Sequence, residues 1–406
     1  MVDLGDNAGK PLMVLDLQNV PNGFHEDPFP HYAKLLAGDP LCVQADGSVL
    51  LSRHADLERV YKDTALFRSD KRAIFEQKFG AGSSLFEHHT TSLVFNDPPL
   101  HSRVRRIMSS ALTPRAIKRL EPGLIETVDN LLDNLGSSAD LIEDFAAQIP
   151  IQIIGNLLGI PMADRGPLRG WSMAILGALE PVLSPSQEAL GNQAVTEFKA
   201  YLKELVKHRR LNPKDPETDV LTRLIEGDEE GQLSEIELIQ NCIFILNAGH
   251  ETTTNLIGNG LALLNDHPDV QLLLRQNPGL IDGCVEEILR VASPNQFGNR
   301  ETSQETTISG VRIGKGTNLH LCIGAANHDP AVFVRPEQFD ITRKPNRHLA
   351  FAGGPHVCVG LTLARLEGRA ALAGFLSRVG SYEITSRVQG ARIRFRGFKK
   401  LAAVLT

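Results

Sequence analysis

The sequence lacks most of the features that announce a function at a glance. Positive charge is not in excess: 42 lysines and arginines stand against 48 aspartates and glutamates, a formal net charge of −6. That leaves no electrostatic footprint for nucleic acid. No apolar run comes near the ~20 residues that span a bilayer; runs such as "CIFIL" (242–246) stop at five. The start, "MVDLGDNAGKPLMVLDLQNV", has no basic region followed by an apolar core, so no signal peptide is read there. The five cysteines, Cys42, Cys242, Cys284, Cys322 and Cys358, are odd in number and far apart. Neither a disulfide framework nor a Cys-x-x-Cys metal knuckle is indicated. There is no internal repeat, no low-complexity tract and no Ser/Gly/Pro linker. Length alone would suggest two or three domains, but without a linker the reading is one domain over 1–406. These absences point to a cytoplasmic protein with no membrane and no nucleic-acid partner.

What is present is helical pattern with strands at both ends. "LCVQADGSVLLS" (41–52) alternates around Asp46, Gly47 and Ser48 like a hairpin. From His54 to about Leu280, apolar residues recur at three and four, as in "HSRVRRIMSSAL" and "VTEFKAYLKELVKHRR". After Arg300 strand patterns return in "TTISGVRIGKGTNLHLCI" (306–323), "SYEIT" (381–385) and "RIRFRGF" (392–398). The pattern predicts a mainly α fold with a small β region.

Two stretches stand out. In "FAGGPHVCVG" (351–360), Cys358 sits among glycines just before the helical pattern "LTLARLEGRAALAGFL". A cysteine on a tight turn at a helix entrance is in a place that favours a thiolate. The other is the longest helix. Ser234 and Glu237 form a capping box, and the run continues to His267-Pro268, on the order of 45 Å. Its middle, "AGHETTT" (248–254), puts a glycine and three threonines where a helix wants alanine and leucine. Either something packs against that point or the irregularity is tolerated. "EEILR" (286–290) sets Glu287 and Arg290 three apart, and "HSRVRR" (101–106) sets His101 and Arg105 four apart, spacings that pair on one helix face.

In order and spacing, these stretches resemble the cytochrome P450 family, the haem-thiolate monooxygenases, of the soluble bacterial kind. The haem-loop pattern Phe-x-x-Gly-x-x-x-Cys-x-Gly is met by Phe351, Gly354, Cys358 and Gly360. The oxygen-groove pattern is met by Ala248, Gly249, Glu251, Thr252 and Thr253, and Glu-x-x-Arg by Glu287 and Arg290. The resemblance runs nearly end to end. It departs at Ala352, where the family more often has glycine, and at "RPEQF" (335–339). There Gln338 stands where the family places an arginine that completes the Glu-x-x-Arg pair; Arg343 or His348 are the available substitutes.

The resemblance implies a P450 fold, with a long central helix crossing the molecule and haem b (iron protoporphyrin IX) between it and the Cys-bearing loop. Cys358 is then the proximal iron ligand, with Phe351 and Gly360 beside it in the cofactor site. Thr252 and Glu251 are the catalytic alcohol and acid, although many relatives carry Asp in place of Glu251. His101, Arg105, Arg300 and His356 are the partners of the haem propionates, and Glu287 and Arg290 a structural pair. By the same analogy, substrate contacts fall on Phe86, Ile243, Asn247, Ala248 and Phe297. They are drawn from the loop "AIFEQKFGAGSSLF" (73–86), the long helix and "NQFGN" (295–299), with a lid in "LGALEPVLSPSQEALG" (176–191). The implied reaction inserts one atom of O2 into a small-to-medium apolar substrate. The chain holds no FMN-binding or NAD-binding region, so electrons are expected from NAD(P)H through an external ferredoxin and ferredoxin reductase. Arg103, Arg106, Arg115 and Arg119 are the candidate ferredoxin dock. The alternatives are a non-catalytic haem or ligand-binding protein on the same scaffold and a peroxide-driven peroxygenase. Retention of both Thr252 and Glu251 favours the monooxygenase.

Overall fold

The computed structural model describes residues 2–3, 14–227 and 231–406. Most of the N-terminal stretch inspected for a signal sequence therefore lies outside the described residues. The chain folds into two compact units.

The first unit takes Met1–Asp70, Gly279–Cys358 and Gln389–Gly397. The expected hairpin is there: Leu41–Val43 pairs antiparallel with Val49–Leu51, and Gly47 turns at φ +80°. Val49–Leu51 then pairs in parallel with Asn318–Cys322. Phe297–Thr302 and Phe67–Arg68 complete a five-stranded sheet by antiparallel pairing. Alternation puts Val49, Leu51, Leu319 and Leu321 on one face, in a buried cluster with Leu57, Val60 and Tyr61 of the helix His54–Lys62.

One strand reading fails in this unit. "RIRFRGF" alternates like a strand, yet Arg392–Gly397 is irregular, with a single bridge from Phe395 to Asn295. Its hydrogen bonds go elsewhere. Arg394 O accepts from Gln296 N, Arg396 N donates to Pro294 O, and the Arg396 guanidinium donates to the carbonyls of His25 and Glu26 at 2.9 Å each. The strand begins only at Phe398 and runs to Leu405.

The second unit takes Lys71–Pro278, Val359–Val388 and Phe398–Thr406 and holds the helical bulk. Its longest element is the 32-residue helix Glu235–Asp266. The capping box forms as read: Ser234 N donates to Glu237 Oε2 at 2.9 Å, and Ser234 Oγ accepts from Glu237 N at 3.4 Å. Helices Gln148–Leu158, Leu168–Gly177, Pro185–Leu211 and Leu361–Arg378 pack on it. Among the described residues no helix is long and apolar enough to cross a membrane.

The stretch 73–86, read as a loop, is two helices, Arg72–Phe79 and Ser84–Thr91. Phe75 and Phe79 stack one turn apart with ring centroids 5.6 Å apart. Gly80 at φ +78° ends the first helix, and Ser83 caps the second by accepting from Phe86 N at 3.1 Å. The lid stretch 176–191 does separate two helices, Leu168–Gly177 and Pro185–Leu211. Two strands inside the helical region, Phe67–Arg68 and Ser138–Asp140, are too short to leave a period in the sequence.

Burial leaves several groups uncharged. Desolvation lowers His88 and His328 to about 4 and His250 to about 3, and holds His89 well below its usual range. Glu367 goes the other way: burial lifts its carboxyl to about 8, against a hydrogen bond from Thr253 that lowers it. Between about pH 8 and 7 the folded chain's extra proton on Glu367 outweighs all others, so acidification stabilises it. Below about pH 7 four histidines of the unfolded chain together take up more than one proton that the folded chain refuses, and acidification then destabilises. The thermal midpoint should peak near pH 7, where the two terms balance, and Glu367→Gln should flatten its alkaline side. A midpoint that climbs steadily to pH 8 contradicts this.

Candidate active site

Four of the five cysteines are buried and Cys358 is partly accessible. Its N–H donates to Phe351 O at 3.0 Å, which closes the loop 351–358. Two residues later Gly360 is the N-cap of the 18-residue helix Leu361–Arg378, so a negative sulfur would sit near the positive end of that helix. Gly354 is required by geometry. It lies at φ +62°, and a Cβ there would come within 2.1 Å of Tyr61 O. Ala352 adopts φ +56°, a left-handed conformation that costs an L-residue about 1–2 kcal/mol. Glycine would occupy it without that cost.

The Glu287–Arg290 pair precedes this loop in sequence and has no exposure at all. Arg290 Nε and Nη2 donate to the two Glu287 oxygens at 2.9 and 2.7 Å. Its remaining donors reach the carbonyls of Asn327, Pro336 and Gln338 at 2.8–2.9 Å. The third member of the network is Arg343, whose Nε donates to Glu287 Oε1 at 3.1 Å; Asn346 Nδ2 donates to Oε2 at 2.9 Å. His348 instead meets Glu286 at 3.1 Å. Gln338 contributes its backbone carbonyl, so the side chain there is not needed for this contact. Breaking one half of a buried, fully bonded pair costs about 3–5 kcal/mol. Glu287→Gln should lose that much in denaturant unfolding, while Gln338→Ala should lose little.

On the long helix, everything from Leu238 to Ala262 is buried except Phe244, Ala248, Gly249, Glu251 and Thr252. Thr252 Oγ1 donates to Ala248 O at 2.6 Å, and Thr254 Oγ1 likewise to His250 O at 2.9 Å. Gly249 has a packing reason as well: a Cβ would meet Ile154 Cδ1 at 2.9 Å. Asn247 and Ile243 are buried, at 1% and 0% exposure. Phe244, in the same turn and not singled out by the sequence, is half-buried.

The remaining expected residues fall as follows. His101 is buried and Arg105 half-buried on the helix Leu100–Ala111. Arg300 is buried on the strand Phe297–Thr302, with its guanidinium carbon 5.3 Å from the Tyr61 ring centroid. His356 is half-buried in the Cys358 loop. Tyr61, which the sequence did not single out, thus meets both Arg300 and the loop glycine Gly354. Phe297 packs in a core cluster with Leu15, Tyr32 and Cys322. Phe86 is mostly buried, with Arg72 over its ring at 5.6 Å. Of the four arginines read as a dock, Arg103 is paired with Glu237 at 3.1 Å and Arg119 with Glu217 at 3.3 Å. Arg115 is exposed and Arg106 half-buried.

The family model for cytochrome P450 matches residues 174–380. The biotin biosynthesis cytochrome P450 of Bacillus subtilis (strain 168) is 37% identical, over 80% of this chain and 83% of its own. The vitamin D(3) 25-hydroxylase of Pseudonocardia autotrophica is 38% identical, over 86% of this chain and 85% of its own. The crystal structure of P450BioI with an acyl carrier protein carrying hexadec-9Z-enoic acid superposes with a TM-score of 0.89 at 33% identity. It covers 94% of this chain and 99% of that one. At these identities and coverages the chain belongs to the cytochrome P450 family and is a monooxygenase of the bacterial kind.

Proposed function

We propose that the chain works as one domain that inserts one oxygen atom from O2 into a small-to-medium apolar substrate, with electrons from NAD(P)H through a ferredoxin and its reductase. The observation that carries this reading is the set of five partly accessible residues within the buried stretch 238–262 of the long helix, because it contains both Glu251 and Thr252. A protein that merely bound a ligand would need neither.

The residues fit haem. A partly accessible thiol at a helix N-terminus suits iron, and by the family resemblance His101, Arg105, Arg300 and His356 would be the residues to test as propionate partners. Haem, when bound, supplies the iron that takes up and activates dioxygen. In this assignment Cys358 would hold the iron as a thiolate and lend it electron density. Phe351 fixes the sulfur's own backbone through its carbonyl. Thr252 keeps its hydroxyl proton on Ala248 O. Rotation about its side chain frees that proton, and the oxygen can take a replacement from water or from the Glu251 carboxyl. Phe244, Ala248 and Asn247 would line the substrate side, and Phe86 and Phe297 stay as the further contacts to test. A relative named as a vitamin D(3) 25-hydroxylase makes apolar carbon skeletons the class to try first. Arg106 and Arg115 are the residues to test at an acidic ferredoxin's dock.

Two variants test the assignment. Cys358→His should still bind haem but lose the red-shifted ferrous–CO band of a thiolate; survival of that band rules out Cys358 as the ligand. Thr252→Val keeps volume and removes the hydroxyl. NAD(P)H consumption should continue while product per NAD(P)H falls, by about 10²–10⁴-fold if proton delivery is the whole of its role, and hydrogen peroxide rises. An unchanged product-to-peroxide ratio would make Thr252 only a helix residue.

A further inference from the structure

A line of polar side chains runs through the second unit to the edge of the partly accessible stretch of the long helix. It starts at the ion pair of Lys199 with Glu87, both partly accessible. Glu87 Oε1 also accepts from Gln240 Nε2 at 2.6 Å. Gln240 Oε1 meets His88 Nδ1 at 2.9 Å, and His88 Nε2 meets Asn247 Nδ2 at 3.3 Å. Gln240, His88 and Asn247 are each no more than 2% exposed.

The charge at the outer end sets the direction of every bond. Glu87, paired with an ammonium group, is a carboxylate and can only accept. Gln240 must therefore present its NH2 to Glu87 and its oxygen to His88. His88 must then carry its proton on Nδ1, which leaves a lone pair on Nε2. Burial keeps this imidazole neutral, so the arrangement holds at neutral pH. Asn247 must give its NH2 to that lone pair. Its oxygen is left on the other side of the amide, and Asn247 Oδ1 has no hydrogen-bond partner among the described residues.

An enclosed carbonyl oxygen without a donor is costly, and native structures rarely leave one so. Its position says what could satisfy it. Asn247 is three residues after Phe244 and four before Glu251, the spacings that share a helix face, and both neighbours are accessible. Three further residues, Glu87, Gln240 and His88, hold the amide in one orientation.

We propose that Asn247 Oδ1 is a fixed hydrogen-bond acceptor for substrate, so that the enzyme selects an apolar molecule bearing a hydroxyl or N–H group. His88 and Gln240 are positioning residues that aim it. This rests on the reading of Asn247 and Ala248 as part of the substrate side. It extends that reading from an apolar class to an apolar class with a donor.

The test uses haem-ligating probes, so that the natural substrate need not be known. 4-Phenylimidazole and its three hydroxyphenyl isomers are titrated into the holoenzyme, and dissociation constants are read from the haem spectrum. At least one hydroxyl isomer should bind about five- to ten-fold tighter than the parent, the worth of one neutral hydrogen bond. That ratio should fall to about one in Asn247→Leu and survive in Asn247→Asp, which keeps an acceptor. It should be reduced in His88→Phe, which leaves the amide unaimed; a purely structural His88 would move parent and hydroxyl probes together. Equal binding of all four probes by the wild type, or a preference that survives Asn247→Leu, overturns the proposal. Absence of any haem spectrum from the purified chain would instead strike at the haem assignment itself.

Discussion

An arginine with no access to water must place every N–H on an oxygen, and Arg290 does so. Its five donors reach Glu287 and the carbonyls of three residues spread over 327–338. Glu287 in turn accepts from Arg343, Asn346 and the backbone of Asp340. The segment leading to the Cys358 loop has little regular structure, so its course is fixed by this network rather than by a ladder. A buried pair of this kind adds little net stability over an apolar substitute, because desolvation offsets attraction. What it supplies is specificity: only one path of the chain satisfies all the donors at once.

The long helix poses the opposite problem. It is buried along most of its length, and burial of apolar surface would by itself favour closing every face. Accessibility survives where the residues are small or polar, at Ala248, Gly249, Glu251 and Thr252, beside Phe244. Gly249 serves two needs, since it also lets the helix Gln148–Leu158 approach. The threonine hydroxyls return to helix carbonyls at 252 and 254, which keeps them satisfied without a tertiary partner. The helix tolerates these weak formers because its ends and flanks are strongly held, by the capping box and by four packed helices.

Much of this was legible in order and spacing. The capping box, the ends of the long helix, the hairpin at 41–52 and the setting of Cys358 rest on local chemistry: a cap, a proline, a turn glycine. Such signals act over three or four residues, and sequence carries them intact. The stretch 73–86 misleads because its breakers, Gly80 and Gly82, bracket two short helices as well as they describe a loop. The stretch 392–398 misleads because alternation shows which residues could pair, not whether a neighbouring strand is there to receive them.

The sequence by itself determined the family, the loop that holds Cys358 and the pairing of Glu287 with Arg290, since each depends on residues close together or on a fixed pattern. Tertiary structure alone decided that Arg343, not His348, completes that pair, because the choice turns on which side chain an irregular segment brings to Glu287. It decided that Phe244 rather than Ile243 is partly accessible, because one residue is about 100° of helix rotation and only packed neighbours fix the zero. It also decided the direction of the polar chain from Glu87 to Asn247. Residues 87, 88, 240 and 247 belong to two distant helices, and only their contact lets one carboxylate's charge dictate where an asparagine's oxygen must point.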